Sequence, residues 1–167
     1  MYQLYAVFKS FENILCFMSK IIGEELDEKS FKQFRAREGT VVVATITSNG
    51  YPNTTPVHLV TAVNKKTLLL AMNRNHQGVI NIRQESKAML SLCEKDDLNI
   101  SVRCNMVVFK ENMECNPAMC IVKAGIIDIK DDSTHSETIC GIRYRCKTER
   151  GKRFIQDVFN ELETYIE

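Results

Sequence analysis

The stretch Asn73-Arg74-Asn75-His76-Gln77-Gly78 gathers anion-binding groups where a run of strand-forming residues gives way to a helical pattern. A helix start leaves backbone N–H groups unpaired and carries the positive end of the helix dipole. It therefore suits a phosphate, and Arg74 adds a charge-assisted donor. A solvated strand–helix connection with an ordinary cap would use the same residues, so both readings stand. A proton on His76 would be stabilised by a phosphate there, which predicts an affinity that falls as pH rises through the histidine range. His58 lies between Val57 and Leu59, the setting of an interior or interface histidine rather than a catalytic one.

The seven cysteines are Cys16, Cys93, Cys104, Cys115, Cys120, Cys140 and Cys146. Their odd number and the lack of a signal-peptide pattern suit reduced thiols in a cytoplasmic protein. No C-x-x-C spacing occurs, so no metal site is expected and most of these side chains read as small buried hydrophobes. The 167 residues carry 22 Lys+Arg against 21 Asp+Glu. That balance leaves no electrostatic footprint for nucleic acid. No apolar run approaches the roughly 20 residues that span a bilayer, so neither nucleic acid nor membrane is an expected partner.

The elements that must position these groups follow from periodicity. Asp27 is suited to cap a helix over about 28–38, with Leu26 and Phe31 as a hydrophobic staple and Gly39 as its stop. Residues 40–47 are almost all β-branched and read as a central strand covered on both faces, followed by a turn at Asn49-Gly50. Strands at about 54–63 and 67–72 complete an antiparallel meander, and a short helix follows at about 76–84. Further strands are expected at about 87–93, 99–109 and 117–130, and an amphipathic helix over about 149–166 closes the chain. Lys147, Arg150, Lys152 and Arg153 make a basic cluster at the start of that helix, opposed to its dipole. Residues 1–26 read as an N-terminal extension, helical or dispensable, and the first 17 could even precede the true start. Residues 27–167 form one domain. The expected class is mainly β with peripheral α-helices, a six-stranded antiparallel split β-barrel of Greek-key type.

Several motifs in order resemble one family. They are Val43-Ala44-Thr45-Ile46-Thr47-Ser48-Asn49-Gly50-Tyr51-Pro52, Thr54-Thr55-Pro56-Val57, Thr67-Leu68-Leu69-Leu70 and Asn81-Ile82-Arg83-Gln84-Glu85-Ser86-Lys87-Ala88. The last is similar to an N-L-R-x-N-P-x-V pattern. From about residue 28 to 130 the chain resembles the pyridoxamine 5′-phosphate oxidase-like family of FMN-binding split barrels. Cys140-Gly141-Ile142-Arg143-Tyr144 and the last helix look like a nitroimidazole-reductase-like or flavoredoxin-like branch.

The resemblance implies a homodimer with two FMN molecules in grooves at the subunit interface, acting as an oxidoreductase on a small molecule. It points to Thr54, Thr55, Pro56 and Val57 against the flavin ring. Met72, Asn73, Arg74, Asn75, His76 and Gln77 would lie around the ring and its phosphate, and Asn99 near the ring edge. No catalytic acid–base pair is expected, because the flavin carries the hard step. His76-Gln77-Gly78 stands where the oxidase itself has a Ser-Arg-Lys run, Thr55 where it has an arginine, and Val60 where it has a lysine. Oxidation of pyridoxamine phosphate is therefore not expected. The alternatives are a non-catalytic flavin, haem or deazaflavin binding protein, or a cofactor-free, cysteine-bearing metal or redox sensor.

Overall fold

The computed structural model describes residues 19–166. Eight strands and three helices are formed there. They run β1 (Lys20–Gly23), α1 (Glu28–Arg35), β2 (Val41–Ile46), β3 (Pro52–Val57), β4 (Val60–Asn64), β5 (Thr67–Asn73), α2 (Gln77–Gln84), β6 (Lys87–Glu94), β7 (Leu98–Lys110), β8 (Met119–Asp131) and α3 (Glu149–Glu163). All pairings are antiparallel. The mainly β class with peripheral helices is as the sequence implies. The strand count is not, since eight form in place of six.

Two causes account for the difference. Part of the expected extension is structured, because Lys20–Gly23 pairs with the far end of β8; residues 1–18 lie outside the described part. The strand expected over 54–63 is also broken at His58 and Leu59. The expected meander is overturned with it. In the order β3-β2-β6-β7-β8-β5-β4, the strands on either side of this break lie at opposite ends. Three peptide steps reach only about 10 Å, so the sheet must roll until its two edges nearly meet. A bond from the Ala71 N–H to the Leu59 carbonyl (2.9 Å) pins the crossing to β5. Bulges in the β7–β8 pairing at Arg103/Cys104 and Val108/Lys110 bend these 13-residue strands into the roll.

The barrel interior is filled by alternate residues, among them Val41, Val43, Leu68, Leu70, Met72, Leu90, Val102 and Val122. β2 buries Val41, Val43 and Thr45 but leaves the opposite face part-exposed. The strand covered on both sides is instead β5, whose Leu69 and Ala71 turn outward beneath Val158, Phe159 and Leu162 of α3. α1 starts as expected, with the Asp27 carboxylate accepting from Ser30 N–H at 2.7 Å. It stops earlier than expected, at Arg35, and Arg37 rather than Gly39 takes the left-handed conformation (φ 60°). The Asn49-Gly50 turn forms with Gly50 at φ +84°, where glycine alone is unstrained.

Glu161 docks α3 onto the β7–β8 connection. Its carboxylate accepts from the backbone N–H groups of Glu114 and Cys115 (both 2.9 Å) and from the Lys110 ammonium (3.1 Å). Burial opposes ionisation, but those two backbone donors and Lys110 outweigh it and hold the carboxyl down at about 2. A carboxyl depressed on folding stabilises the fold fully above its unfolded value near 4.5 and loses that contribution as pH falls toward 2. Glu161→Gln should therefore cost about 2–3 kcal/mol at neutral pH, and much less at pH 2. Urea unfolding at the two pH values checks this, and an equal cost at both would refute it.

Candidate functional site

A cavity of about 280 Å³ opens where the end of β3, the 58–59 crossing, the end of β5 and the start of α2 converge. Thr55, Pro56 and Val57 form one wall, Ala71, Met72 and Asn73 another, and His76 stands at one end. His58 and Leu59 from the crossing, Met119 at the start of β8 and Phe154 of α3 complete it. The cause is topological. Rolling the sheet leaves a seam between its edges, and the polar groups placed along the seam are few. The result is a mostly apolar slot with sparse hydrogen-bonding groups, the usual make-up of a small-molecule site.

Thr55 shares the inward face of β3 with Val57, and no side-chain partner holds its hydroxyl. His58 stacks on Tyr144, with ring centroids 4.6 Å apart. Burial pushes its imidazole below the ordinary value of 6.5, so the ring is neutral at pH 7 and presents an uncharged wall. His76 caps α2, its Nδ1 accepting from Gly78 N–H at 3.1 Å. The proton of the neutral ring then sits on Nε2, the atom left to donate.

The remaining candidates are not brought to the cavity. Arg74 turns away, its guanidinium bonding Asn112 and the Pro117 carbonyl on the β7–β8 connection. Gln77 is spent on Asn81 (2.8 Å). Asn75 closes an Asx turn, donating its N–H to Asn73 Oδ1. Thr54 is exposed on the outward face of β3. Asn99 sits on β7 and accepts from Thr138 (3.0 Å). The start of α2 is therefore largely self-satisfied, since the N–H groups of Gly78 and Val79 are both taken by His76.

Sequence reasoning missed His58, Leu59, Ala71, Met119 and Phe154 as cavity residues. His58 and Leu59 were hidden inside an unbroken strand pattern. Met119 and Phe154 arrive from distant segments, and only the pairing of Asn73 with Met119 and the docking of α3 bring them in. Of the six described cysteines only Cys104 and Cys120 are buried; Cys93, Cys115, Cys140 and Cys146 are exposed, against the expectation of small buried hydrophobes, because they fall on an outward strand position or on connections that no element covers. Burial pushes the Cys104 thiol up to about 12 and raises that of Cys120. Burial, and then Glu161, push Cys115 to about 11. Thiols held protonated are poor nucleophiles and poor ligands. Among the described residues no three His, Cys, Asp or Glu side chains group to hold a metal ion. No helix among them is long and apolar enough to cross a membrane.

The family model described as Pyridoxamine 5′-phosphate oxidase matches residues 27–123. No curated protein shows significant similarity to the chain. Among solved structures, one is a Lactobacillus delbrueckii protein named for pyridoxamine 5′-phosphate oxidase. It is 20% identical over 67% of this chain and 98% of its own, with a TM-score of 0.57. HupZ of Group A Streptococcus is 16% identical over 66% and 99%, with a TM-score of 0.54. An FMN-binding protein from Syntrophomonas wolfei is 14% identical over 80% and 99%, with a TM-score of 0.52. At these identities the structures establish the shared fold.

Proposed function

Because the chain belongs to the pyridoxamine 5′-phosphate oxidase family, we propose that it binds FMN and acts as a cytoplasmic oxidoreductase on a small molecule, as a homodimer. The observation that carries this reading is the apolar slot at the barrel seam, bounded by Thr55–Val57 and Ala71–Asn73. Its roughly 280 Å³ falls just below the ~300–1,000 Å³ of closed ligand pockets. That size fits the flat ring system and leaves the polar tail outside. A second subunit would then cover the slot. Exposed Ile80, Met89, Val107, Phe109 and Ile127 supply apolar surface for such a partner.

The bound flavin would supply hydride acceptance and donation. The chain's own task is narrower. Pro56, Val57, Leu59, Met72 and Met119 exclude water from the ring. Thr55 Oγ1 and His76 Nε2 offer hydrogen bonds to its edge. His58, backed by the Tyr144 ring, bounds the slot without adding charge. The strand and helix positions where the oxidase carries cations are here Thr55, Val60 and His76-Gln77-Gly78, so a doubly phosphorylated pair of ligands is poorly served. The reaction is therefore assigned to a substrate other than pyridoxamine phosphate.

Titration of the purified chain with FMN, read by quenching of flavin fluorescence, tests the proposal. One FMN should bind per protomer with micromolar or tighter affinity, in a species of dimeric mass. Failure to bind at millimolar FMN would overturn it. Two imidazoles, His58 and His76, face the same slot, which keeps haem as a second reading. The colour of the material that co-purifies, yellow or red, separates the two. Oxidation of a reduced nicotinamide nucleotide would separate an enzyme from a carrier.

A further inference from the structure

We propose that Cys93 and Cys140 are a thiol pair that hydrogen peroxide oxidises to an intramolecular disulfide, clasping the 138–144 segment to the end of β6 whether or not a flavin is bound. Both side chains are exposed and free. Three contacts bring their segments together. Cys93 pairs with Asn99 across β6 and β7, and residues directly opposite on a sheet share a face. The Thr138 hydroxyl donates to the Asn99 side chain at 3.0 Å, so the segment reaches that face two residues before Cys140. Gly141 packs so closely on the strand end that a Cβ there would lie 2.5 Å from the Cys93 carbonyl oxygen and 2.4 Å from the Glu94 carboxylate. Arg143 then forms a bidentate pair with buried Glu94, whose side chain lies on the face opposite that of Cys93. The segment therefore turns round the end of β6 between Thr138 and Arg143, and Cys140 is at the turn.

The Gly141 contact holds its Cα within about 6.5 Å of the Cys93 Cα by standard bond lengths. Cys140 is the next residue toward Thr138, so a small shift of this surface segment seats the pair at the roughly 4.4–6.8 Å Cα separation of a disulfide. The other described cysteines are worse placed. Cys104 and Cys120 are buried, and Cys115 lies on the β7–β8 connection, its N–H taken by Glu161. Cys146 follows Tyr144, whose ring is drawn off to His58, so the chain has left β6 before reaching it. In the reaction one thiol attacks a peroxide oxygen, the O–O bond breaks, and water leaves with the thiol's proton to give a sulfenic acid. The second thiol attacks that sulfur, forming the S–S bond and releasing a second water. Two thiols thus lose two electrons and two protons, and the peroxide gains them. The clasp holds Arg143 on Glu94 and Tyr144 on His58, so oxidation fixes the backing of the slot wall.

Treating the reduced, folded full chain with stoichiometric hydrogen peroxide, blocking the remaining thiols and digesting for mass spectrometry tests the assignment. One cross-linked peptide pair, joining Cys93 to Cys140, should dominate, in protein that stays monomeric on a denaturing, non-reducing gel. The melting temperature should rise by about 5 °C or more on oxidation, because a long loop is closed, and return on reduction with dithiothreitol. C93S and C140S should each abolish both the link and the rise, whereas C146S should leave both intact. Cys93, Cys140 and Cys146 are exposed, so the serine variants should melt with the wild type when all are reduced. A dominant link from either residue to any other cysteine, a covalent dimer, sulfinic acid in place of a link, or a melting temperature that oxidation leaves unchanged would overturn the proposal. None of these measurements depends on flavin, so the flavin-binding reading stands or falls separately.

Discussion

Arg143→Ala should lower the unfolding free energy by about 3 kcal/mol, the lower end of the range for breaking a buried pair. At this chain length that is a fall of roughly 10 °C in the melting temperature. The Glu94 side chain is 1% exposed, whereas Arg143 is 41% exposed. Its two carboxylate oxygens accept from the guanidinium at 2.6 and 2.5 Å. Removing the arginine therefore strands a carboxylate in the interior. The cost sits at the lower end because Arg143 itself is 41% exposed, so water reaches one side of the pair and can partly solvate the carboxylate once the guanidinium is gone. Arg143→Lys should rescue little, since an ammonium cannot make both bonds at once. The double variant Glu94→Leu with Arg143→Met should recover most of the loss, because it removes the stranded charge as well as its partner. Chemical denaturation of the three variants measures all of this. If Arg143→Ala were neutral, Glu94 would not need its partner. The same variant should also weaken flavin binding, because Tyr144, the next residue, packs its ring on His58, which lines the slot.

How much of this was legible beforehand can be judged from individual residues. The alternation in 87–93, 99–109 and 117–130 is a local signal, and β6, β7 and β8 lie where it places them. Asp27 and Gly50 were legible for the same reason, since a cap and a positive φ depend on the residue itself. The break at His58-Leu59 was not legible. Val57-His58-Leu59-Val60 contains no glycine, proline or turn-forming residue, and the chain leaves one sheet edge for the other because the roll demands it. β1 was missed because four residues with no alternating burial carry no period, and their stability comes from the spare edge of β8.

The candidate site divides along the same line. Asn73 and His76 could be read as candidates from the strand-to-helix change itself, a local property, whereas Thr55, Pro56, Val57 and Met72 came only from the family resemblance; all six line the slot. Arg74, read from the same change, does not. Its orientation is decided by Asn112 and Pro117, about forty residues away on a connection with no visible relation to it. Asn99 is drawn to Thr138 in the same non-local way. Gln77 is the opposite failure, because an i, i+4 bond to Asn81 was readable from the spacing and competes directly with any ligand.

Thr55→Trp should abolish flavin binding, weakening FMN by at least about a hundredfold, or roughly 2.7 kcal/mol, with little change in stability. Thr55 is part-exposed, points inward beside Val57, and lines a slot of about 280 Å³. An indole there would occupy the space of the ring while remaining well suited to a strand. Thr55→Val keeps the volume and removes only the hydroxyl, so it should cost no more than about tenfold, the worth of one hydrogen bond to a neutral partner. The ratio between the two variants thus separates filling of the slot from loss of a polar contact. Thr54→Trp provides the control, because side chains alternate along a strand and Thr54 lies on the outward face. The same indole one position earlier should leave the FMN affinity of the isolated protomer site within about twofold. Should Thr54→Trp block FMN as completely as Thr55→Trp, the ligand would have to lie on the outer surface of β3, and the seam would not be the binding site.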